Sequence, residues 1–69
     1  MNAATLIRAL RQKVGLTRTE MAQKAGIAYA LLWNWEKGNN CPTLDSFVKL
    51  VRAVDYEIVL KPKYRKESE

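Results

Sequence analysis

Apolar residues recur at helical spacing from the start of this 69-residue chain. The first such segment, residues 3–14, would bury one face made of Leu6, Ile7, Leu10 and Val14. Asn2 stands before it as a candidate N-cap, and Gly15 follows it where a helix commonly ends. The pattern therefore predicts a first helix over residues 3–14.

The next segment carries the start and stop residues of a second helix. Thr17 and Glu20 have the spacing of a capping box, in which two side chains bond free backbone N–H groups of the first helical turn. Gly26 can adopt the left-handed conformation that ends many helices. These signals predict a helix from about Arg18 to Ala25, followed by a short turn.

The third predicted helix runs from Tyr29 to Lys37 and contains two tryptophans. Each helical residue advances by about 100°, so residues two apart point in nearly opposite directions. Trp35 and Leu32 share the inward face, which leaves Trp33 outside. Gly38 follows as the stop. The pattern thus raises the question of what an outward tryptophan does.

The last part of the chain predicts a fourth helix and a short strand. Thr43 can cap the helix, whose apolar positions are Leu44, Phe47, Leu50, Val51 and Val54. Residues 56–60, YEIVL, are rich in strand-forming types. Alternation places Tyr56, Ile58 and Leu60 on one face, which we expect to lie on the fourth helix, and Glu57, Val59 and Lys61 on the other. With no second strand to pair with, the economical partner is the same strand of a second copy.

Composition narrows the class of protein. The net charge of +5 and the pI near 9.7 suit a polyanionic partner. The chain has no histidine and only Cys41, so it lacks an internal disulfide, the usual zinc ligand sets and a Cys/His or Ser/His pair for catalysis. We therefore expect neither an enzyme nor a cofactor. The longest apolar run, residues 27–33, is far below the ~20 residues that span a membrane, which predicts a cytoplasmic protein.

Residues 17–38, TRTEMAQKAGIAYALLWNWEKG, resemble the Cro/CI-type helix-turn-helix family, also called the xenobiotic-response-element type. The matching positions are Thr17, Glu20, Ala22, Gly26, Ile27, Glu36 and Gly38, followed by Pro42, Leu44, Leu50 and Val54. The resemblance implies an all-α, lambda-repressor-like domain that binds double-stranded DNA. It also implies a partly buried ion pair between Arg11 and Glu36, although these residues can also be independent surface charges.

In this family the third helix enters the major groove, which makes its outward residues candidates for DNA contact. Those that face away from Leu32 and Trp35 are Tyr29, Ala30, Trp33, Asn34 and Lys37. Asn34 can bond an adenine edge, and Ala30 can lie against a thymine methyl group. Candidate phosphate contacts are Thr17, Arg18, Lys37, Asn39 and Asn40.

This third helix departs from the family pattern because its exposed face is unusually apolar. Family members usually begin the helix with Ser or Thr and carry Arg, Gln or Ser outward, whereas this chain has Ala28, Tyr29 and Trp33. Trp33 then has three interpretations: packing on DNA sugars and methyl groups, contact with a protein partner, or a surface aromatic without a partner.

The turn from the fourth helix directly into a strand resembles the HipB-like antitoxins within the family. This resemblance implies a homodimer whose strands pair through Tyr56, Glu57, Ile58, Val59 and Leu60. We expect a DNA-binding domain over residues 1–55, a dimerisation strand over 56–61 and a mobile basic tail over 62–69. The expected function is an autoregulatory repressor on a palindromic operator, either an antitoxin with a cognate toxin or a prophage regulator. The alternative is a protein-binding module that uses Tyr29 and Trp33.

Overall fold

A computed structural model describes residues 2–60 and residue 62. The described residues form four helices: α1 (Ala3–Val14), α2 (Arg18–Ala25), α3 (Tyr29–Lys37) and α4 (Leu44–Ala53). These bounds agree with the predicted helices, and the fold is all-α and lambda-repressor-like. None of these four helices is both long and apolar enough to cross a membrane. The predictions for Lys61 and for the tail beyond Pro62 lie outside the described residues.

The helix ends form where the sequence predicts them because the capping interactions are local. Thr17 and Glu20 make the complete capping box: the Glu20 N–H donates to Thr17 Oγ1 at 3.1 Å, and the Thr17 N–H donates to Glu20 Oε1 at 2.8 Å. Gly26 has a φ of 70°, a left-handed conformation that costs glycine little. The chain therefore turns sharply between α2 and α3 and sets the angle of the helix-turn-helix unit.

The core lies where α3 packs against α1 and α2, and where α2 packs against α4. Its buried residues are Ile7, Met21, Ala22, Ala25, Leu32, Trp35, Leu50 and Val54. Leu44, predicted to face this core, is instead 72% exposed. It is the first residue of α4 and lines a shallow groove with Val48 and Arg52, one and two turns further along the same side of the helix. The prediction that Leu44 is a core residue is wrong.

Residues 56–60 follow α4 without forming a backbone ladder within the described part of the chain. Tyr56 and Ile58 are each 40% exposed and line a groove of about 260 Å³ together with Leu6, Leu10, Phe47 and Val51. Leu60 is 91% exposed, so the expectation that it packs on α4 is wrong for the single chain. A strand is defined by its partner, and the pairing of this segment with a second copy stays a prediction.

The start of α3 lacks the side-chain cap that α1, α2 and α4 have. Ala28 has φ −70° and ψ 144°, backbone angles similar to those of the capping residues Thr17 and Thr43, but its side chain has no oxygen to accept a hydrogen bond. We expect Ala28→Ser to stabilise the fold by about 1 kcal/mol, because a hydroxyl there can accept from a free N–H of the first turn. Thermal unfolding would show a rise of about 4–8 °C for that gain in a domain of this size.

The matched comparison for this prediction is Thr17→Ala, which removes an existing cap of the same type. It should lower stability by about 0.5–2 kcal/mol. If Ala28→Ser left the melting temperature unchanged while Thr17→Ala lowered it, the N–H groups at the start of α3 would not be accessible to a serine cap.

Candidate nucleic-acid interface

Helix α3 divides into one buried side and one exposed side. Leu32, Trp35 and Glu36 are 0%, 4% and 0% exposed, so they anchor the helix in the fold. The positions opposite them are Ala30, Trp33, Asn34 and Lys37, with Tyr29 at one edge and Leu31 at the other. Tyr29, Leu31 and Trp33 are 47%, 38% and 37% exposed. The outward surface of α3 is therefore mixed, with large apolar side chains beside one cation and one amide.

Trp33 and Lys37 form a pair on this outward surface. The Lys37 ammonium lies 5.4 Å from the centroid of the Trp33 ring, within the range of a cation–π interaction. The two residues are one helical turn apart, so the contact forms within α3 itself. The pair places a positive charge directly beside an apolar ring, a combination that suits the phosphate and sugar of a nucleic-acid backbone.

Asn34 takes part in a hydrogen-bond chain along the same surface. Its Nδ2 donates to the Ala30 carbonyl oxygen at 2.9 Å, and its Oδ1 accepts from Asn39 Nδ2 at 2.9 Å. The side chain that we expect to read a base is thus held by a loop residue beyond the end of the helix. Sequence analysis assigned Asn39 only a phosphate contact and missed this bond.

Glu36 is the centre of an ion-pair cluster on the buried side of α3. Arg11 donates from Nε to Oε2 at 2.7 Å and from Nη2 to Oε1 at 3.0 Å, so the two residues that the family resemblance pairs are in direct bidentate contact. Arg18 Nε donates to Oε1 at 3.0 Å. Arg8 Nη1 donates to the Glu36 backbone carbonyl. Through this residue α1 and α2 are both tied to α3.

The electrostatics of the cluster keep Glu36 ionised. Burial alone would raise the pKa of the Glu36 carboxyl, but hydrogen bonds from Arg11 and Arg18 outweigh burial and hold that pKa below its ordinary 4.5. The hydrogen bond to Glu36 raises the pKa of Arg18, and the nearby Tyr29 side chain contributes in the same direction. Tyr29 thereby lies next to the start of α2, at the edge of the exposed surface of α3.

The residues predicted to contact phosphates differ in how many hydrogen-bond donors they have left for an anion. Arg18 uses its Nε on Glu36, so only its remaining N–H groups are left for an anion, and its phosphate contact stays a prediction. The Thr17 oxygen accepts from the Glu20 N–H, which leaves its hydroxyl hydrogen to donate. Lys37, Asn39 and Asn40 are exposed at the end of α3. The structure thus places Lys37, Asn39 and Asn40 at one end of the outward surface and brings Arg18 into contact with Glu36 of α3.

The bonds Arg18–Glu36 and Asn34–Asn39 had different signals in the sequence. The first bond joins residues 18 positions apart and depends on how α2 and α3 cross, so no local sequence pattern predicts it. The second joins residues only five positions apart, across the glycine that ends α3. Two amide side chains that flank a helix-ending glycine were a usable signal for it.

Comparison with known proteins places the chain in a family. The helix-turn-helix family model HTH_3 matches residues 7–60. An uncharacterised HTH-type transcriptional regulator, y4dL of Sinorhizobium fredii, is 35% identical over 57 residues, which cover 83% of this chain and 29% of that protein. Antitoxin HipB of Escherichia coli is 32% identical over 57 residues, 83% of this chain and 65% of the antitoxin.

The chain thus spans less than two thirds of the length of either relative. No solved structure matches it significantly. The family match covers both helices of the helix-turn-helix unit, the turn between them and α4. The chain belongs to the Cro/CI-type helix-turn-helix family of DNA-binding domains.

Proposed function

We propose that this chain is a homodimeric, sequence-specific transcriptional repressor that places α3 in the major groove of DNA. The observation that carries the proposal is the two-sided α3, whose Leu32, Trp35 and Glu36 side is buried while the side of Ala30, Trp33 and Asn34 faces out. Occupancy of a promoter is sufficient for repression, so the role needs no catalytic group. A cytoplasmic location, where operator DNA is present, follows from this role.

In the proposed complex different residues on and around the outward surface of α3 contact bases, sugars and phosphates. Asn34 would bond a base edge, Ala30 would meet a thymine methyl group, and Trp33 would pack on sugars and methyl groups. Lys37, Thr17 and the Asn39/Asn40 loop would hold phosphates on either side, with Arg18 contributing the N–H groups that Glu36 leaves free. Few of these contacts identify a base, so DNA shape would supply part of the specificity.

The homodimer in this proposal is supported by apolar side chains that one copy leaves uncovered. Leu44, Val59 and Leu60 are 72%, 63% and 91% exposed, and they lie next to the groove lined by Tyr56 and Ile58. Pairing of residues 56–60 between two copies would cover this surface and satisfy the backbone groups of both segments. A two-fold dimer would hold its two α3 helices about 34 Å apart, which requires a palindromic operator.

Within this function we favour an antitoxin that represses its own operon over a prophage regulator. The similarity to Antitoxin HipB and the segment after α4 support this choice. The partner would then be a cognate toxin protein. A toxin gene next to the gene for this chain would support the antitoxin, and a neighbourhood of phage genes would support the regulator.

The first test is binding of the purified protein to the DNA upstream of its own gene and to a scrambled duplex, at two salt concentrations. We expect the upstream duplex to bind about 10³-fold more tightly, the lower end of the usual margin for specific over non-specific binding. Trp33→Ala should weaken binding to the upstream duplex, because it removes an apolar contact and the ring that holds Lys37. Trp33→Phe is the matched control and should retain most of the affinity.

A protein-binding module is the second candidate, and the exposure of Tyr29 and Trp33 favours it. Salt dependence separates the two functions. Phosphate contacts make the logarithm of the affinity fall linearly with the logarithm of the salt concentration, whereas an apolar protein interface does not behave in this way. Equal affinity for both duplexes, with no effect of Trp33→Ala, would contradict the repressor and favour the protein-binding module.

A further inference from the structure

We propose that Asn39, beyond the end of α3, is a positioning residue that sets which base Asn34 recognises. The inference rests on the proposed DNA-binding function and adds to it a specific orientation of one amide. In the alternative, the phosphate contact proposed above is the only role of Asn39, and the residue has no influence on base preference. The two roles predict different results for the same substitution.

The hydrogen bonds of Asn34 determine which way round its amide sits. The Ala30 carbonyl can only accept, so the nitrogen of the Asn34 amide must face it, as observed at 2.9 Å. Asn39 presents Nδ2, a donor, to the other end of the amide, and Asn34 Oδ1 accepts from it at 2.9 Å. Both contacts favour the same orientation of the Asn34 amide. In a flipped amide, Oδ1 would face the Ala30 carbonyl oxygen and Nδ2 would face Asn39 Nδ2, so neither hydrogen bond could form.

Asn39 is itself held in place by the backbone. Gly38 has a φ of 79°, which turns the chain back toward the last turn of α3. The Asn39 N–H then donates to the Asn34 carbonyl oxygen at 3.0 Å. Asn34 and Asn39 are therefore joined twice, once through the backbone and once through their side chains. These two bonds fix the place at which Asn39 approaches the helix, so its side chain lies against the Asn34 amide.

The oriented Asn34 amide keeps one donor and one acceptor for a ligand. Nδ2 has a second hydrogen and Oδ1 a second lone pair after the contacts to Ala30 and Asn39 are counted. Adenine presents the complementary pair in the major groove, an acceptor at N7 and a donor at N6. Asn34 is half-buried and lies on the outward side of α3, the side that the proposed function turns toward DNA. The geometry points to a preference for adenine at one operator position.

The test is selection of bound duplexes from a library with a randomised central region, using the full chain and sequencing the enriched DNA. We expect the wild-type protein to enrich adenine on the order of ten-fold at one position of each half-site, in line with one bidentate contact. Asn34→Ala should remove that preference. Asn39→Ala should reduce it by most of the same factor while the other positions keep theirs, and the double variant should be no worse than Asn34→Ala alone.

Asn40→Ala is the matched control, because Asn40 is the next residue in the loop and its side chain makes no hydrogen bond among the described residues. As a proposed phosphate contact, Asn40 should on substitution weaken binding to all duplexes alike and leave the base preferences unchanged. If Asn39→Ala instead weakened all sequences uniformly, Asn39 would be a phosphate contact and the positioning role would be wrong. An Asn39→Ala profile identical to wild type would overturn it as well. If the wild-type protein enriched no sequence, the proposed DNA-binding function would fail, and the positioning role with it.

Discussion

Glu36→Ala is expected to destabilise the fold by about 3–5 kcal/mol, the usual cost of removing one partner from a buried ion pair. Glu36 is fully buried, and its carboxylate is the counter-charge for both Arg11 and Arg18. Its removal leaves two guanidinium groups, whose side chains are only 15% and 29% exposed, without the acceptor they share. Small domains have total stabilities of about 0.05–0.15 kcal/mol per residue, so this loss would unfold much of the population.

Urea denaturation at neutral pH measures this prediction, with Asp45→Ala as its control. Asp45 is an exposed carboxylate in the first turn of α4, where its removal should cost at most about 1 kcal/mol through the helix dipole. Glu36→Gln should also destabilise the fold, because the amide can accept hydrogen bonds but carries no charge. A loss for Glu36→Ala no larger than that for Asp45→Ala would show that Arg11 and Arg18 are adequately solvated without Glu36.

The lowered pKa of Glu36 adds a pH dependence to the same cluster. A carboxyl with a lower pKa in the folded state than in the unfolded state contributes stability that is complete above its unfolded value, the ordinary 4.5. That contribution is lost as the pH falls from there through the folded pKa. Wild-type stability should therefore fall in acid more steeply than that of Glu36→Gln, and unfolding curves between neutral pH and acid would measure both. If the free energy of unfolding fell equally steeply with pH in the wild type and in Glu36→Gln, this account would be contradicted.

The parts of the fold that the sequence predicts correctly depend on short-range interactions. Thr17 and Glu20 bond each other three residues apart, and Gly26 ends α2 through its own backbone conformation. Neither interaction depends on the rest of the chain. Leu44 shows where the local pattern fails. Its spacing fits the apolar face of α4, but its burial depends on what packs beside the first turn, which helical periodicity does not contain.

The candidate site shows the same division between local and non-local information. That Trp35 is inside and Trp33 is outside follows from helical geometry alone. The link of Arg18 to Glu36 does not, because it requires the crossing of α2 over α3. The consequence for function is direct, since a residue expected to hold a phosphate has part of its guanidinium committed to the fold. Arg18 therefore has two roles, one in the ion-pair cluster that stabilises the domain and one in the proposed contact with DNA.

Leu60→Lys is expected to convert the proposed dimer into a monomer and to lower affinity for a palindromic duplex by about 10²-fold or more, because each half-site must then be bound separately. Leu60 is 91% exposed in the single chain, so the substitution should change the stability of the isolated domain by no more than about 0.5 kcal/mol. Within a dimer it would place a charge where the second copy covers apolar surface. Sedimentation and duplex binding measure the two effects.

The choice of lysine makes the DNA result unambiguous. An added cation strengthens binding to phosphates, so a loss of affinity in Leu60→Lys cannot come from charge and must come from lost pairing between copies. Leu60→Met is the matched control, since it keeps an apolar side chain of similar volume and should preserve both the dimer and the affinity. Two results would show that the segment after α4 has no part in operator binding. In one, Leu60→Lys sediments as a dimer. In the other, it sediments as a monomer and still binds the palindrome with the affinity of the wild type. The exposed apolar surface of Leu44, Val59 and Leu60 would then belong to a different partner.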